Sequence, residues 1–399
     1  MANETAQLAA YAASLRFTDI PAEVLRRAKD CLIDTVAVAM YGQHAPWSRI
    51  VAEQARAGGP GRSRVFAQDM PAVRAEAAAL TNGVLCHATE MDSLRKPGSG
   101  VHPGAVLVSA AVAIAQERGA GGEALLTALV AGCETMFRVG KATRHSTESR
   151  GFHAPGLTGP FGSAAATGHL FGLSAEQMAR AFGVAGSLCG GLMQFAAGSD
   201  GGMVKKLHLG RAAENGIVAA RLAQAGFDGP TTVLEGRLGF LKAYCEQSDV
   251  AALTGGLGSD FETLRICFKR YPCHITAHTA VFAIEQLRRE HGFGAGDVAE
   301  VVIDGARRMA ELNGNPSPTD MAMASYSIPF CAAVALARDS TDPDSFGESA
   351  LHDEAMRALR QRIRVISTGG GGHADWTTTT RFTLKDGRTV ERRQEDFPG

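Results

Sequence analysis

At 399 residues the chain is long enough to bury a large core, and length alone calls for two or more folding units. With 40 basic and 41 acidic side chains its formal net charge is -1, so no global field favours nucleic acid or an anionic membrane, and any positive potential must be local. Eight cysteines without one C-x-x-C pair, most of them in apolar helical stretches, read as reduced core residues of a cytoplasmic protein.

The first twenty residues carry Glu4 early and Arg16 late, the reverse of a secretory leader. From about 20 to 245 the pattern is helix after helix. PAEVLRRAKDCLIDTVAVAMYG opens with Pro21, suited to a first turn, and stops at Gly42. HATEMDSLRKPGSGVHPG (87–104) then breaks the run. Its glycines and Pro97 forbid a continuous helix, and regular structure restarts at Pro103. On a helix Glu90 and Asp92 would diverge by roughly 200°, so one is expected to face the protein and the other solvent. Composition alone fits a solvated surface loop equally well. What favours chemistry is His102, a proton carrier at neutral pH, beside a turn with Arg95 and Lys96 close by. The greasiest stretch, AVLVSAAVAIAQERG from Ala105, is too short and too interrupted by polar residues to cross a bilayer.

In RGFHAPGLTGPFG (150–162), His153 precedes a small-residue helix expected from about Pro160. Backbone N–H groups there can hold a carboxylate. The plainer reading is a buried histidine bonded to a carbonyl. SAEQMARAFGVAGSL begins with a capping box, Ser174 and Gln177. MVKKLHLGRAAENG (203–216) gathers Lys205, Lys206, His208 and Arg211, and adjacent lysines point about 100° apart on a helix, so one of the two is expected to enter a cleft. Small residues on several faces of these segments, as in FGSAAATGHLFG, imply close helix approach inside a large bundle.

QSDVAALTGGLGSDFE (247–262) is a polar, Gly-rich joint, which places an all-helical domain over 1–262 and an α+β domain over 263–399. CFKRYPCHITAHTA (267–280) brings Lys269 and Arg270 before a Tyr-Pro turn, then His274 and His278 at i and i+4 on an expected helix. Ile275 stands where a zinc protease needs Glu and no third ligand is near, so anion binding by Lys269 is preferred to metal. A helix (AHTAVFAIEQLRREHG), a strand (VAEVVIDG), a helix over 319–337 and two strands (RIRVIS; TTTTRFTLKDGRTVERR, turning at Asp386-Gly387) complete the pattern. TGGGGH (368–373) lacks the residues of a phosphate loop, and neither a G-x-S-x-G elbow nor a dinucleotide fingerprint occurs.

Taken in order, NGVLCHATEMDS…VHPGAV, RGFHAPGLTGPFGSAAA, VKKLHLGRAAENGIVAARLAQAGFDGPTTVLEGRLGF, FKRYPCHITAH and ASYSIPFCAAVAL resemble the MmgE/PrpD family over nearly the whole chain. The resemblance implies a mainly α protein, a large all-helical domain plus a smaller α+β lid, usually homodimeric, with the active site between the domains. It implies enzymes that need no metal or organic cofactor and move a proton at a carbon next to a carboxylate of a small di- or tricarboxylate.

Residue by residue, the family's acid falls on Glu90 with Asp92 two further on, its loop histidine on His102, its G-F-H histidine on His153, and its lysines on Lys205 and Lys269. His208, Arg95, Lys96 and Tyr326 are added as substrate-binding candidates. Ser93 stands where a second Asp is usual, Leu94 where a Thr is frequent and Phe330 where a Tyr is common, and relatives continue beyond QEDFPG through further helices. A lyase of dehydratase or decarboxylase type is the expected activity. An epimerase of an iminodisuccinate-like substrate comes second, and a non-catalytic carboxylate-binding protein is the alternative of another class.

Overall fold

The structure is a computed structural model that describes residues 3–98, 100–197, 201–369 and 375–399. The chain divides into two compact units: Met1–Ala88, Asp92–Met193 and Met203–Phe268 form the first, and Thr89–Met91, Gln194–Gly202 and Lys269–Gly399 the second. Helix accounts for 58% of the chain, so the protein is mainly α.

The first unit carries α1 (Glu4–Ser14), α2 (Ala22–Gly42), α3 (Pro46–Ala57), α4 (Ala75–Cys86), α5 (Ser109–Arg118), α6 (Gly122–Ala142), α7 (Ala154–Phe171) and α8 (Ala175–Ser187). The short α9 (Gln194–Ala197) groups with the second unit, whereas α10 (Val204–Gln224) and α11 (Phe240–Tyr244) belong to the first. This unit is not wholly helical. It holds a short strand, β1 (Pro60–Ser63), and a two-residue antiparallel pair, β2 (Leu94–Arg95) with β3 (Ile266–Cys267).

At its centre α7 packs against α6 and α10, and α10 against α4. The alanines and glycines of these helices make that possible. A Cβ on Gly210 would lie 2.2 Å from the Leu80 carbonyl oxygen, so α10 crosses α4 at a distance only glycine allows. The capping box at Ser174 forms, with Gln177 N donating to Ser174 Oγ (3.2 Å) and Gln177 Oε1 accepting from Ser174 N (3.0 Å).

The second unit contains α12 (His278–His291), α13 (Arg307–Asn313), α14 (Met321–Ala324), α15 (Ile328–Ala337), α16 (Glu348–His352) and α17 (Glu354–Arg360). Its four-stranded sheet, in the order β5-β4-β6-β7, is built from β4 (Val298–Asp304), β5 (Ile363–Ile366), β6 (Thr378–Leu384) and β7 (Thr389–Gln394). β4 pairs parallel with β5 and antiparallel with β6, and the β6–β7 hairpin turns through Asp386 and Gly387, the latter at φ 88°. Alternation along the strands sends Val301, Ile303 and Phe382 into a core closed by Ile284, Leu287, Phe330 and Leu336 of α12 and α15. The helix expected over 319–337 is broken between Ala324 and Ile328, where Ser327 caps α15 by accepting from Phe330 N.

All eight cysteines are free thiols. Among the described residues no helix is long and apolar enough to cross a membrane. Positions 370–374 of the TGGGGH region lie outside the described residues.

Candidate active site

The loop after α4 is not a solvated surface segment. Glu90, Asp92 and Ser93 are all 0% exposed, so neither acid faces water, contrary to the helical estimate. His87 caps the carboxyl end of α4, its N–H donating to Gly83 O (3.1 Å). His102 stands just before a π-helical turn, Gly104–Val108, and its carbonyl accepts from Val106 N (3.3 Å). Insertions of this kind are common where a helix start must aim a functional group. Ser93 ties the loop to that turn, its hydroxyl accepting from Gly104 N (3.2 Å).

Between these anchors Asp92 receives both imidazoles. His87 Nδ1–H donates to Oδ1 and His102 Nδ1–H to Oδ2, each at 2.8 Å, with the two rings edge-on at 5.0 Å. Burial, the largest single influence, would raise the Asp92 carboxyl, but the two histidines outweigh it and hold the group well below the usual range. Side-chain exposure divides the roles: 0% for His87 and Asp92 against 15% for His102. Both Nδ1 atoms being spent on Asp92, His102 has Nε2 left for chemistry.

His153 is the N-cap of α7, which begins at Ala154 and not near Pro160. Pro155 fits the first turn, and Pro160 is accommodated inside the helix. His153 N donates to Gly191 O (3.0 Å), and the ring meets His208 of α10, Nδ1 to Nδ1 at 3.0 Å. One of two nitrogens so placed must carry the hydrogen and the other accept it. The far nitrogens then have opposite character, one a base and the other a donor. Burial first, then the charge of Lys205, with smaller effects from His208, His87 and His102, hold His153 well below its ordinary value. The same two leading causes, in the same order, bring His208 down to about 4. Lys205 and Lys206 are both buried, at 3% and 1% exposure, because the start of α10 is enclosed on more than one face.

The first unit thus gathers His102, Asp92, His153, Lys205 and His208. It also enlists His87, which the sequence reading passed over in favour of the acids, although its place five residues before Asp92 in NGVLCHATEMD was visible. Arg95 is otherwise employed. Its guanidinium lies on Glu262 (Nε 2.8 Å, Nη2 2.7 Å) and donates to Pro97 O (2.5 Å), fastening the loop to the 262–267 segment. Lys96 is half-buried, and its backbone N–H donates to Arg265 O (2.9 Å).

In the second unit, Lys269 Nζ donates to Glu90 O (2.8 Å) and lies 3.5 Å from Glu90 Oε2, both side chains buried. Glu90 adopts a left-handed backbone (φ 58°), uncommon without glycine, so the acids form no pair: Glu90 belongs with Lys269 and Asp92 with the histidines. His274 stacks on Tyr326 at 4.2 Å. It precedes a short 3₁₀ turn while His278 opens α12, so the two do not share one helix, and His278 faces Cys273 O (3.3 Å). A cleft of about 490 Å³ in this unit is lined by Arg270, Arg288, Arg289 and Arg338, but by none of the candidate residues. Arg288 there donates to Ala335 O at the end of α15, which is helix-capping work.

The donor atoms of His87, Asp92 and His102 lie within 4.8 Å of one another, as compact as a metal site. The two N···O separations of 2.8 Å are nevertheless hydrogen-bond lengths and occupy the nitrogens that a cation would need, so the trio is read as a proton-handling array.

The MmgE/PrpD N-terminal domain matches residues 6–253 and the MmgE/PrpD C-terminal domain residues 271–399. A cis-aconitate decarboxylase of Aspergillus terreus is 34% identical over 307 residues, 72% of this chain and 60% of the relative. A cis-aconitate decarboxylase-like protein of Aspergillus oryzae, oryM, is 34% identical over 305 residues, 72% of this chain and 62% of its own. The cis-aconitate decarboxylase of Homo sapiens is 26% identical over 389 residues, 94% of this chain and 79% of its own. The chain therefore spans less than two thirds of the Aspergillus relatives. With both domains matched in order, the chain belongs to the MmgE/PrpD family.

Proposed function

We propose that the protein is a cofactor-independent lyase of decarboxylase type acting on a small unsaturated tricarboxylate of the cis-aconitate kind. The observation that carries the reading is the His87–Asp92–His102 array in the same unit as a His153–His208 pair held neutral by burial and by Lys205. Curated relatives named for cis-aconitate decarboxylation support the substrate class.

In such a reaction the bond from a methylene carbon to its carboxylate breaks. The electron pair becomes a new double bond, the old double bond shifts, and its far carbon takes a proton. CO₂ leaves and one proton is consumed, so the enzyme must supply an acid and hold the remaining carboxylates. Protonated His102, its Nδ1–H on anionic Asp92, is the acid, a role worth roughly 10²–10⁴ in rate. The neutral His153–His208 pair can relay a proton, taking one up at one ring and releasing one from the other with no net change in charge, and Lys205 provides a fixed cation against carboxylate charge, usually the largest contribution. Within the second unit, Lys269 is the cation assigned to a substrate carboxylate and Tyr326, stacked on His274, a polar contact.

The test is to incubate the protein with cis-aconitate, citrate, 2-methylcitrate and iminodisuccinate and follow products by ¹H NMR with CO₂ detection. CO₂ from cis-aconitate alone supports the reading. Water loss from a hydroxy acid, or configurational exchange without net reaction, replaces it with a dehydratase or an epimerase. Binding without turnover of any acid removes the enzyme.

A further inference from the structure

His87 is 0% exposed and beyond the reach of any substrate, yet its Nδ1–H lies 2.8 Å from one oxygen of Asp92 while the other oxygen serves His102. We infer that His87 is a positioning residue that keeps Asp92 ionised and oriented, and so limits how much of the carboxylate's charge reaches His102. The inference rests on the reading of His102 as the proton carrier.

A buried carboxylate is tolerated when its oxygens accept hydrogen bonds, and each Asp92 oxygen has one imidazole donor. Because His87 caps the carboxyl end of α4, the partial negative charge there favours a donor with positive character. If Asp92 faced His102 alone, its whole charge would fall on one imidazole, which would then hold its proton to higher pH and release it less readily. A second donor divides that charge. Whether His87 is neutral or protonated, its removal acts in the same direction. The other titratable groups around the trio are His153 on α7, Lys205 and His208 on α10, and Cys31 with Asp34 on α2. Burial pushes the Cys31 thiol up to about 12, so it stays neutral.

Two substitutions separate hydrogen bonding from packing. His87→Asn keeps an N–H near the Nδ1 position, and His87→Leu fills the space without a donor. In ¹⁵N-histidine-labelled protein without substrate, the wild type is expected to show two protected Nδ1–H signals, one of them lost in Asp92→Asn, whose amide keeps a single accepting oxygen. His87→Leu should lose one signal and displace that of His102, and the high-pH limb of its kcat/KM profile, where the acid loses its proton, should move up by about one pH unit. His87→Asn should keep the His102 signal and the wild-type limb.

A His102 signal and a limb unchanged in His87→Leu would overturn the inference. So would equal changes in both variants, which assign His87 to packing alone. Thermal unfolding of each variant verifies that it is folded. The signals are read without substrate, so a protein inactive on every acid would defeat the proposed function, while the signals alone still decide whether His87 orients Asp92 toward His102.

Discussion

Lowering the pH should destabilise the first unit through its neutral histidine pair, and the size of the effect can be worked out. His208 titrates at about 4 in the folded protein against an ordinary value of about 6.5. Between those values the unfolded chain binds a proton that the native one refuses, so stability falls as pH drops through the window and returns as it rises. At pH 5 the linkage relation gives about 2 kcal/mol lost relative to pH 7.5, reduced to about 1–2 kcal/mol because His208 is only partly buried. His153, also well below its ordinary value, adds a loss of the same sign. The assay is urea-dependent hydrogen exchange of the α10 peptide at both pH values, in wild type and His208→Asn. The variant lacks the His208 contribution, so its loss on acidification should be smaller by that amount. Equal losses would refute the assignment of a neutral, depressed His208.

Asp92→Asn offers an amide where two N–H donors converge, so one imidazole must change tautomer, and turnover should fall by about 10³-fold or more with the fold intact. Activity within tenfold of wild type would count against the array. Lys205→Met should let the His153 and His208 signals titrate at higher pH in an NMR titration, since the cation is the second cause of their depression; unmoved curves would contradict it. Gly156→Ala places a Cβ 2.0 Å from Gly190 O, so it should cost about 2 kcal/mol or more and disturb the His153–His208 contact. Wild-type stability there would show that the close approach is relaxed. Metal analysis with EDTA treatment should find no stoichiometric transition metal and no loss of turnover. A bound ion removed together with activity would turn the trio into a metal centre.

Local chemistry was the most legible part of the sequence. Ser174 and Gln177 announced a cap, Asp386-Gly387 a hairpin, and His153 a position ahead of a helix, because each depends on neighbours in the chain. Pro160 misled for the complementary reason. Proline interrupts the internal hydrogen bonding of a helix, yet α7 runs through it, packed on α6 and α10. Angular arguments failed where burial is all-round. Lys205 and Lys206 diverge as computed, but α10 is enclosed on both sides.

Long-range partners were the least legible. Glu90 and Asp92, two residues apart, separate to Lys269 and to the histidines, and Arg95 is claimed by Glu262, 167 residues away. Such pairings depend on where the chain returns, which spacing does not encode. His87 was missed because an acid pair invites more attention than a histidine at a helix end.

The central claim is that the histidine array delivers a proton to a small unsaturated carboxylate as CO₂ departs. The most direct measurement is turnover of cis-aconitate in D₂O, with mass and NMR analysis of the product from wild type and Asp92→Asn. The account predicts one deuterium per product molecule, at the former vinylic carbon, at a rate that collapses in the variant. A product without deuterium at that carbon, or equal rates in both proteins, would contradict it.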